Sequence, residues 1–210
     1  MIPMFAKIIS VGTVNNGNVY SRGLLGYSAD SGTSWTAMSS CDMAFGEGQS
    51  PPASPWYEQS TASNTDWTVY TPIQRYQTFT PVTAHTCNTV QFQLWKVGSP
   101  SFTVTIALYR TDGSHKPTGS ALASTTFAAS SLTTTATWQQ YVFATGYPLQ
   151  AGTEYALVLS GNGGSSSYVG VRVNNGNVYS RGLLGYSADS GTSWTAMSSC
   201  DMAFGEGYQA

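Results

Sequence analysis

The chain has 210 residues, enough for one well-buried domain with a smaller attached segment but too few for two average domains. Charged residues make up 9% of it and the formal net charge is -2, which excludes the basic surface that nucleic acids and anionic membranes require. The first residues show neither a basic stretch with a long apolar run nor a membrane span. We therefore expect a soluble chain without a signal peptide and with no nucleic-acid or membrane partner.

The composition favours strands over helices. Aromatic residues account for 13% of the chain, there are 22 glycines, and Ser, Thr, Ala and Val are abundant, whereas Lys and Arg together number 8. Pleated strands and tight turns are rich in these aromatic, glycine and small or β-branched residues. The composition predicts an all-β protein with a neutral, hydroxyl-rich surface.

The first element along the chain is one half of an internal repeat. Residues 14–48 read VNNGNVYSRGLLGYSADSGTSWTAMSSCDMAFGEG, and residues 173–207 repeat them letter for letter. Because the identity is complete and ends abruptly, it indicates a recent duplication or a deliberate joining of sequences. Residues 1–48 are thus a partial β segment: either an assembly element that pairs with other copies of the chain, or a remnant of a preceding tandem domain.

Both copies contain an Asp-box pattern, Ser-x-Asp-x-Gly-x-Ser-Trp. Its residues are Ser28, Asp30, Gly32 and Trp35 in the first copy and Ser187, Asp189, Gly191 and Trp194 in the second. We expect a structural hairpin cap, in which Asp accepts turn N–H groups, Gly takes a positive φ and Trp covers the turn. Such boxes also occur on sialidase propeller blades, but about four blades or more need a far longer chain.

Residues 49–72 begin with a Pro- and Ser-rich run and continue as a polar stretch. Proline removes ladder donors and favours extended backbone. We predict a linker or loosely packed connection here.

Residues 73–210 form the predicted main domain. Every second residue is apolar in 90–94 and 102–108, so one face of each strand is buried. Turn signals separate further expected strands at 75–80, 121–127, 138–145, 154–160, 168–173, 178–186 and 194–204. This pattern predicts an antiparallel, jelly-roll-like β-sandwich.

Four aromatic residues fall on the faces opposite the apolar alternation: Trp95, Tyr109, Tyr141 and Tyr168. They either stack on sugar rings as ligand-binding residues or pack across strands beneath loops. Their positions leave both interpretations open.

Residues that could perform catalysis are sparse. Asp112 and Glu154 lie at a turn and a strand start, and His85 and His115 each lie in a turn rich in Thr, Ser and Lys. No nucleophile motif and no spacing typical of metal ligands occurs. We predict no catalytic residues, no metal site, no cofactor and no enzymatic activity.

Three cysteines cannot all pair within one chain. Cys87 precedes the first long predicted strand and Cys200 lies in the last, and the first and last strands of a sandwich often meet. A Cys87–Cys200 disulfide is therefore one candidate, which would leave Cys41 free.

Four segments between Gln77 and Phe204 are distinctive: QTFTP (77–81), VTIALYRTDGSHKPTGSALAS (104–124), PLQAGTEYALVLSG (148–161) and YSADSGTSW (186–194). With these segments the chain resembles the choice-of-anchor family, Gly/Ser/Thr-rich β-sandwich repeats of bacterial surface and phage proteins. The resemblance implies an extracellular or virion-surface display module and no particular site residues.

From these observations we expect a non-enzymatic display module of a phage virion, such as a decoration, fibre or tail-surface protein, that assembles through β-strand contacts. Its partners would be other copies of itself, other virion or surface proteins, and possible glycans. Two alternatives remain: a carbohydrate-binding module or adhesin of a bacterial surface, and a subunit of an extracellular filament.

Overall fold

A computed structural model describes residues 14–15, 25–28, 33–34, 36–38, 42–43 and 56–208. The chain divides into two compact units, Met1–Pro52 and Ala53–Ala210.

The first unit contains four short strands within the first copy of the repeat: β1 (Val14–Asn15), β2 (Leu25–Tyr27), β3 (Thr36–Met38) and β4 (Asp42–Met43). Strand β1 pairs antiparallel with β4, and β2 pairs antiparallel with β3. Each pair therefore joins residues of the same repeat copy.

The second unit contains thirteen strands and one short 3-10 helix among its described residues. The strands are β5 (Trp56–Ser60), β6 (Thr65–Val69), β7 (Gln74–Phe79), β8 (His85–Val97), β9 (Thr103–Thr111), β10 (Pro117–Ala128), β11 (Thr137–Leu149), β12 (Tyr155–Gly161), β13 (Tyr168–Asn174), β14 (Leu184–Ser187), β15 (Thr195–Met197), β16 (Asp201–Met202) and β17 (Phe204–Tyr208). The 3-10 helix covers Ala129–Ser131.

These strands form two antiparallel sheets. The six-stranded sheet has the order β10-β9-β12-β7-β14-β15. The seven-stranded sheet has the order β16-β13-β8-β17-β5, with β11 added to β8 and β6 added to β13. The predicted all-β, antiparallel class is confirmed.

The main core lies between the two sheets, and period-two alternation produces it. On β9, Val104, Ile106 and Leu108 are fully buried whereas Thr105 is only half-buried. Phe79 of one sheet and Phe204 of the other bring their ring centroids within 6.3 Å. Aromatic pairs and aliphatic side chains thus fill the space between the layers.

Arg75 connects the sheets at one end of the sandwich. Its guanidinium lies 4.5 Å from the Trp67 ring centroid and 5.6 Å from that of Tyr186, and its Nε donates to the Thr68 carbonyl. Burial lowers the pKa of Arg75 to about 10. The desolvated cation is held by two aromatic faces.

The prediction of a linker over residues 49–72 is wrong for most of that range. Residues of β5 pair with β17, and residues of β6 pair with β13, so the main domain includes both strands. On β5 the side chains that face inward are Trp56, Glu58 and Ser60. Because two of these three buried residues are polar, the sequence of β5 does not show the alternation of apolar and polar residues that usually indicates a strand.

The predicted Cys87–Cys200 disulfide is also wrong, since both thiols are free and buried. The first and last strands of the domain do meet, but they are β5 and β17. Cys87 lies within β8, and Cys200 precedes β16, whose partner is β13. The predicted strands at 178–186 and 194–204 are likewise shorter, because turns interrupt both.

Candidate functional site

The outer face of the six-stranded sheet carries a groove formed by two adjoining pockets of about 470 Å³ and about 450 Å³. Volumes of roughly 300–1,000 Å³ are usual for small-ligand sites. The pockets share Gln74, Thr105, Ser160 and Ser190. We call the combined feature the outer groove.

The outer groove is lined by uncharged polar groups with two aromatic side chains. Its hydroxyl and amide groups belong to Thr71, Gln74, Thr103, Thr105, Thr118, Ser160, Asn162, Ser190 and Thr192. Tyr109 and Trp194 supply the aromatic surface. Among the described lining residues none is Asp, Glu, Lys, Arg, His or Cys, so the groove has hydrogen-bonding capacity without an acid, base or thiol nucleophile.

A small apolar cluster of Tyr76, Ala156 and Val158 lies under the groove, and Tyr109 and Trp194 pack against it. The Tyr76 and Trp194 rings meet edge to face, with centroids 5.3 Å apart. Both groove aromatics are therefore held by packing, which lowers the entropy cost of binding a ligand.

The Asp-box hairpin forms one rim of the groove. Asp189 Oδ1 accepts the backbone N–H of Ser193 at 2.8 Å, and Ser187 Oγ accepts that of Gly191 at 2.8 Å. Hydrogen bonds that Asp189 accepts from the Ser193 hydroxyl, the Ser193 N–H and the Ser187 hydroxyl lower its pKa to about 2, with the Ser193 hydroxyl as the largest cause. Gly191 has a φ of 88°, and Trp194 is placed beside the groove at the end of the box.

The first copy of the Asp-box cannot be compared in the same way. Asp30, Gly32 and Trp35 lie outside the described residues. Ser28 and Ser34 are described and each takes part in an interaction.

The four sequence-predicted aromatics do not form one platform. Only Tyr109 lines the outer groove. Tyr141 stacks on Phe127 at 4.3 Å and packs against the main core. Trp95 lies against Gly170 and Tyr168 beside Tyr70. Three of the four thus make the packing contacts of the second interpretation.

Trp194 belongs to this site although its predicted role was structural, and the signal was available in the sequence. The residue follows the Asp-box turn directly, so the turn fixes the position of its ring. The remaining lining residues are Ser, Thr, Gln and Asn on outward strand positions, which composition alone cannot separate from ordinary surface.

Sequence reasoning missed a buried polar cluster that ties the last strands to the rest of the domain. His85 Nε2 lies 3.0 Å from Glu206 Oε2, and the Tyr179 hydroxyl donates to Glu58 Oε2 at 2.8 Å. Arg181 also pairs with Glu58. The partners are more than a hundred residues apart in the chain, which explains why no local motif indicates them.

The pKa shifts within the cluster follow from burial. Burial alone would lower the pKa of His85, but its hydrogen bonds to Glu206 and Thr83 raise it above the ordinary value. Burial raises the pKa of Glu206, and burial together with Glu206 raises that of the Cys87 thiol. A thiol held protonated is a poor nucleophile, so the geometry assigns the cluster a structural role.

The described residues include no group of three or more His, Cys, Asp and Glu side chains placed to hold a metal ion. In that same part of the chain, no helix has the length and apolarity needed to cross a membrane. No protein-family model matches the chain, and no curated protein is significantly similar to it.

Proposed function

We propose that this chain is a non-catalytic display module whose outer groove binds a neutral saccharide. The observation that carries the proposal is the lining: hydroxyl and amide groups flanked by Tyr109 and Trp194, without a charged side chain among the described lining residues. Sugar hydroxyls both donate and accept hydrogen bonds, as Ser, Thr, Asn and Gln do. The C–H face of a sugar ring suits an aromatic face.

A binding role without chemistry is supported by the same lining. Glycoside hydrolysis needs two carboxyl groups on either side of the scissile bond, whereas none of the described residues that line the groove carries a carboxyl group. The resemblance to surface-display sandwiches agrees with this role, and we propose the surface of a phage virion as the setting.

A glycan array probed with the full chain tests the proposal, followed by calorimetry on the best neutral saccharide. We expect Tyr109→Ala and Trp194→Ala each to weaken binding about fivefold to thirtyfold, since stacking on an aromatic ring contributes roughly 1–2 kcal/mol. Trp95→Ala, an aromatic truncation outside the groove, is the matched control and should bind normally. Equal loss in all three variants, or binding confined to charged glycans, would overturn the proposal.

Assembly with other copies of the chain is a second function that a specific observation favours. Strand β11 is bonded only to β8 among the described strands and exposes Trp138 (38%) and Val142 (63%). Apolar side chains on an edge strand favour contact with another strand. We propose that two β11 edges pair in a homo-oligomer.

Light scattering tests this contact with Trp138→Lys and Val142→Lys, which place a charge on the edge. Val82→Lys is the matched control because Val82 is 66% exposed outside any strand. We expect the two edge variants to be monomeric while the control keeps the mass of the parent. A mass unaffected by either edge variant contradicts the proposal.

A further inference from the structure

The second copy of the repeat is held in the main domain by a surface that lies entirely outside the repeat. We call it the acceptor surface and define it by Glu58, Gln77, Thr78, His85 and strands β5, β7 and β8, which pair with β14 and β17 of the repeat. Gln77 Nε2 donates to Asp201 at 3.1 Å, and Gln77 Oε1 accepts the Met202 N–H at 2.6 Å.

The contacts continue along the repeat. Thr78 N donates to the Leu183 carbonyl at 2.8 Å, and Leu183 N donates back to the Thr78 hydroxyl at 2.9 Å. Glu58 binds Tyr179 and Arg181, and His85 binds Glu206. Each of these bonds joins a residue of the second repeat copy to a residue that lies outside both copies.

Every repeat residue in these contacts has an identical counterpart in the first copy. The counterparts of the polar and buried residues are Tyr20, Arg22, Leu24, Asp42, Met43, Phe45 and Glu47. The local pairing is identical as well: Val14 pairs with Met43 as Val173 does with Met202, and Leu25 pairs with Met38 as Leu184 does with Met197. The first copy therefore contains all the groups that the acceptor surface binds.

The chain connection also suits the first copy. Strand β17 runs antiparallel to β5, with Tyr208 opposite Trp56. Gln49 occupies the position in the first copy that Tyr208 occupies after the second. A first copy seated on the acceptor surface would thus be joined to β5 through residues 50–55, and connections of about 2–6 residues are common between neighbouring elements.

We propose that the acceptor surface takes either copy of the repeat, so that residues 14–48 can replace residues 173–207 of the same chain. The occupant comes from the same chain because each chain has one acceptor surface and two matching segments. If the first copy came from another chain, no additional acceptor surface would be filled, and the association would cost translational entropy. The short tether gives the first copy a high effective concentration.

Thiol labelling of the full chain tests the exchange, because each copy contains one cysteine. Cys200 is 6% exposed in the seated second copy, and its counterpart is Cys41. Trypsin separates the two, since the labelled peptides span residues 23–75 and 182–210. The variant is Phe204→Ala, which removes a fully buried ring from the second copy. Phe45→Ala makes the same change in the first copy and is the matched control.

Truncation of a buried phenylalanine shifts such an equilibrium by about a hundredfold or more. We expect Cys200 to be labelled at least tenfold faster in Phe204→Ala than in Phe45→Ala. Cys41 should be labelled at least tenfold slower in Phe204→Ala than in Phe45→Ala. In the Val142→Lys background, which disrupts the proposed β11 contact, light scattering should give the mass of one chain. The double variant, in which both copies lack the ring, should melt well below either single variant.

Three results would each overturn the inference. Cys200 that stays protected in Phe204→Ala means that the first copy does not compete. Rapid labelling of both thiols, together with loss of the far-UV circular dichroism spectrum of β structure, means that the first copy cannot replace the second copy. In the Val142→Lys background, protection of Cys41 only in a dimer or larger species means that the occupant comes from another chain.

Discussion

Glu206 on β17 lies directly opposite Glu58 on β5, and both carboxyl groups are buried. Two buried like charges at this spacing repel each other unless each has its own counter-charge. Glu58 accepts hydrogen bonds from Tyr179, Arg181 and the Val82 N–H. Glu206 has His85, and its Oε1 has no hydrogen-bond partner.

This arrangement predicts a loss of stability at alkaline pH. The folded-state pKa of His85 is raised above 6.5, so the stability contributed by its protonated form is complete below pH 6.5 and is lost as the pH rises through the folded-state value. The raised pKa of Glu206 acts in the same direction. We expect the free energy of unfolding in urea to fall as the pH rises above about 6.5.

The double variant His85→Gln with Glu206→Gln removes both groups and should flatten that slope. The matched control is His115→Gln with Glu154→Gln, which replaces a second His–Glu pair whose His115 side chain is 57% exposed. The control should keep the slope of the parent. A slope that persists without His85 and Glu206 would show that other groups cause it.

The hydroxyl of Tyr76 is buried beneath the outer groove and has no hydrogen-bond partner. Burial of a hydroxyl without a hydrogen-bond partner costs desolvation free energy that no hydrogen bond offsets. We expect Tyr76→Phe to leave the free energy of unfolding unchanged or to raise it by up to about 1 kcal/mol. Tyr155→Phe is the matched control: Tyr155 is also fully buried, but its hydroxyl accepts the Gln150 N–H at 3.1 Å, so the control should lose about 1 kcal/mol. A clear loss in Tyr76→Phe would mean that the hydroxyl is bonded in solution.

The sequence predicted the fold class because alternation along strands such as β9 reports directly on which face is buried. It failed for β5, where the inward positions include Glu58 and Ser60. A buried glutamate is tolerated there because Tyr179, Arg181 and Val82 bind it. Those partners lie 24 to 123 residues away, so a local pattern contains no trace of them.

The candidate site was only partly predictable for a related reason. Tyr109 stood out because it interrupts a polar strand face, and Trp194 because it ends the Asp-box. The groove itself depends on which strands are neighbours: Gln74, Thr105 and Ser160 come together because β7, β12 and β9 are adjacent in the sheet. Strand order is a non-local property that hydrophobic periodicity does not encode.

The groove floor gives a prediction about a single hydroxyl. Thr105→Val replaces the hydroxyl of a residue shared by both pockets with a methyl group of similar size. Loss of one hydrogen bond of about 1 kcal/mol should weaken binding of the neutral saccharide roughly fivefold to tenfold. Thr125→Val, a half-buried threonine on β10 that does not line the groove, is the control for calorimetry and should bind as the parent does. Equal affinities for the two variants would remove Thr105 from the site.

The two described cysteines give a prediction about redox conditions. Since Cys87 and Cys200 are free, the unfolding temperature should be the same with and without a reductant. Alkylation in denaturant should modify both residues without prior reduction. A shift of several degrees on reduction, or a mass two hydrogens lower for peptides containing Cys87 and Cys200, would establish the disulfide that the structure lacks.

The Asp-box predicts how the groove rim responds to acid. The folded-state pKa of Asp189 is lowered to about 2, below an ordinary value of about 3.9, so the stabilisation is complete above about pH 4 and is lost as the pH falls toward 2. We expect the variant with Asp30→Asn and Asp189→Asn, which changes both copies, to melt several degrees below the parent at pH 6. The difference should shrink between about pH 4 and pH 2, because protonation then removes the same charge from the parent. The asparagine keeps one acceptor oxygen for the Ser193 N–H, so the hairpin should remain folded, but its NH2 group cannot accept the hydrogen bond that the Ser193 hydroxyl donates to Asp189 Oδ2. A melting difference that is constant from pH 6 to pH 2 would show that the carboxylate charge does not stabilise the turn.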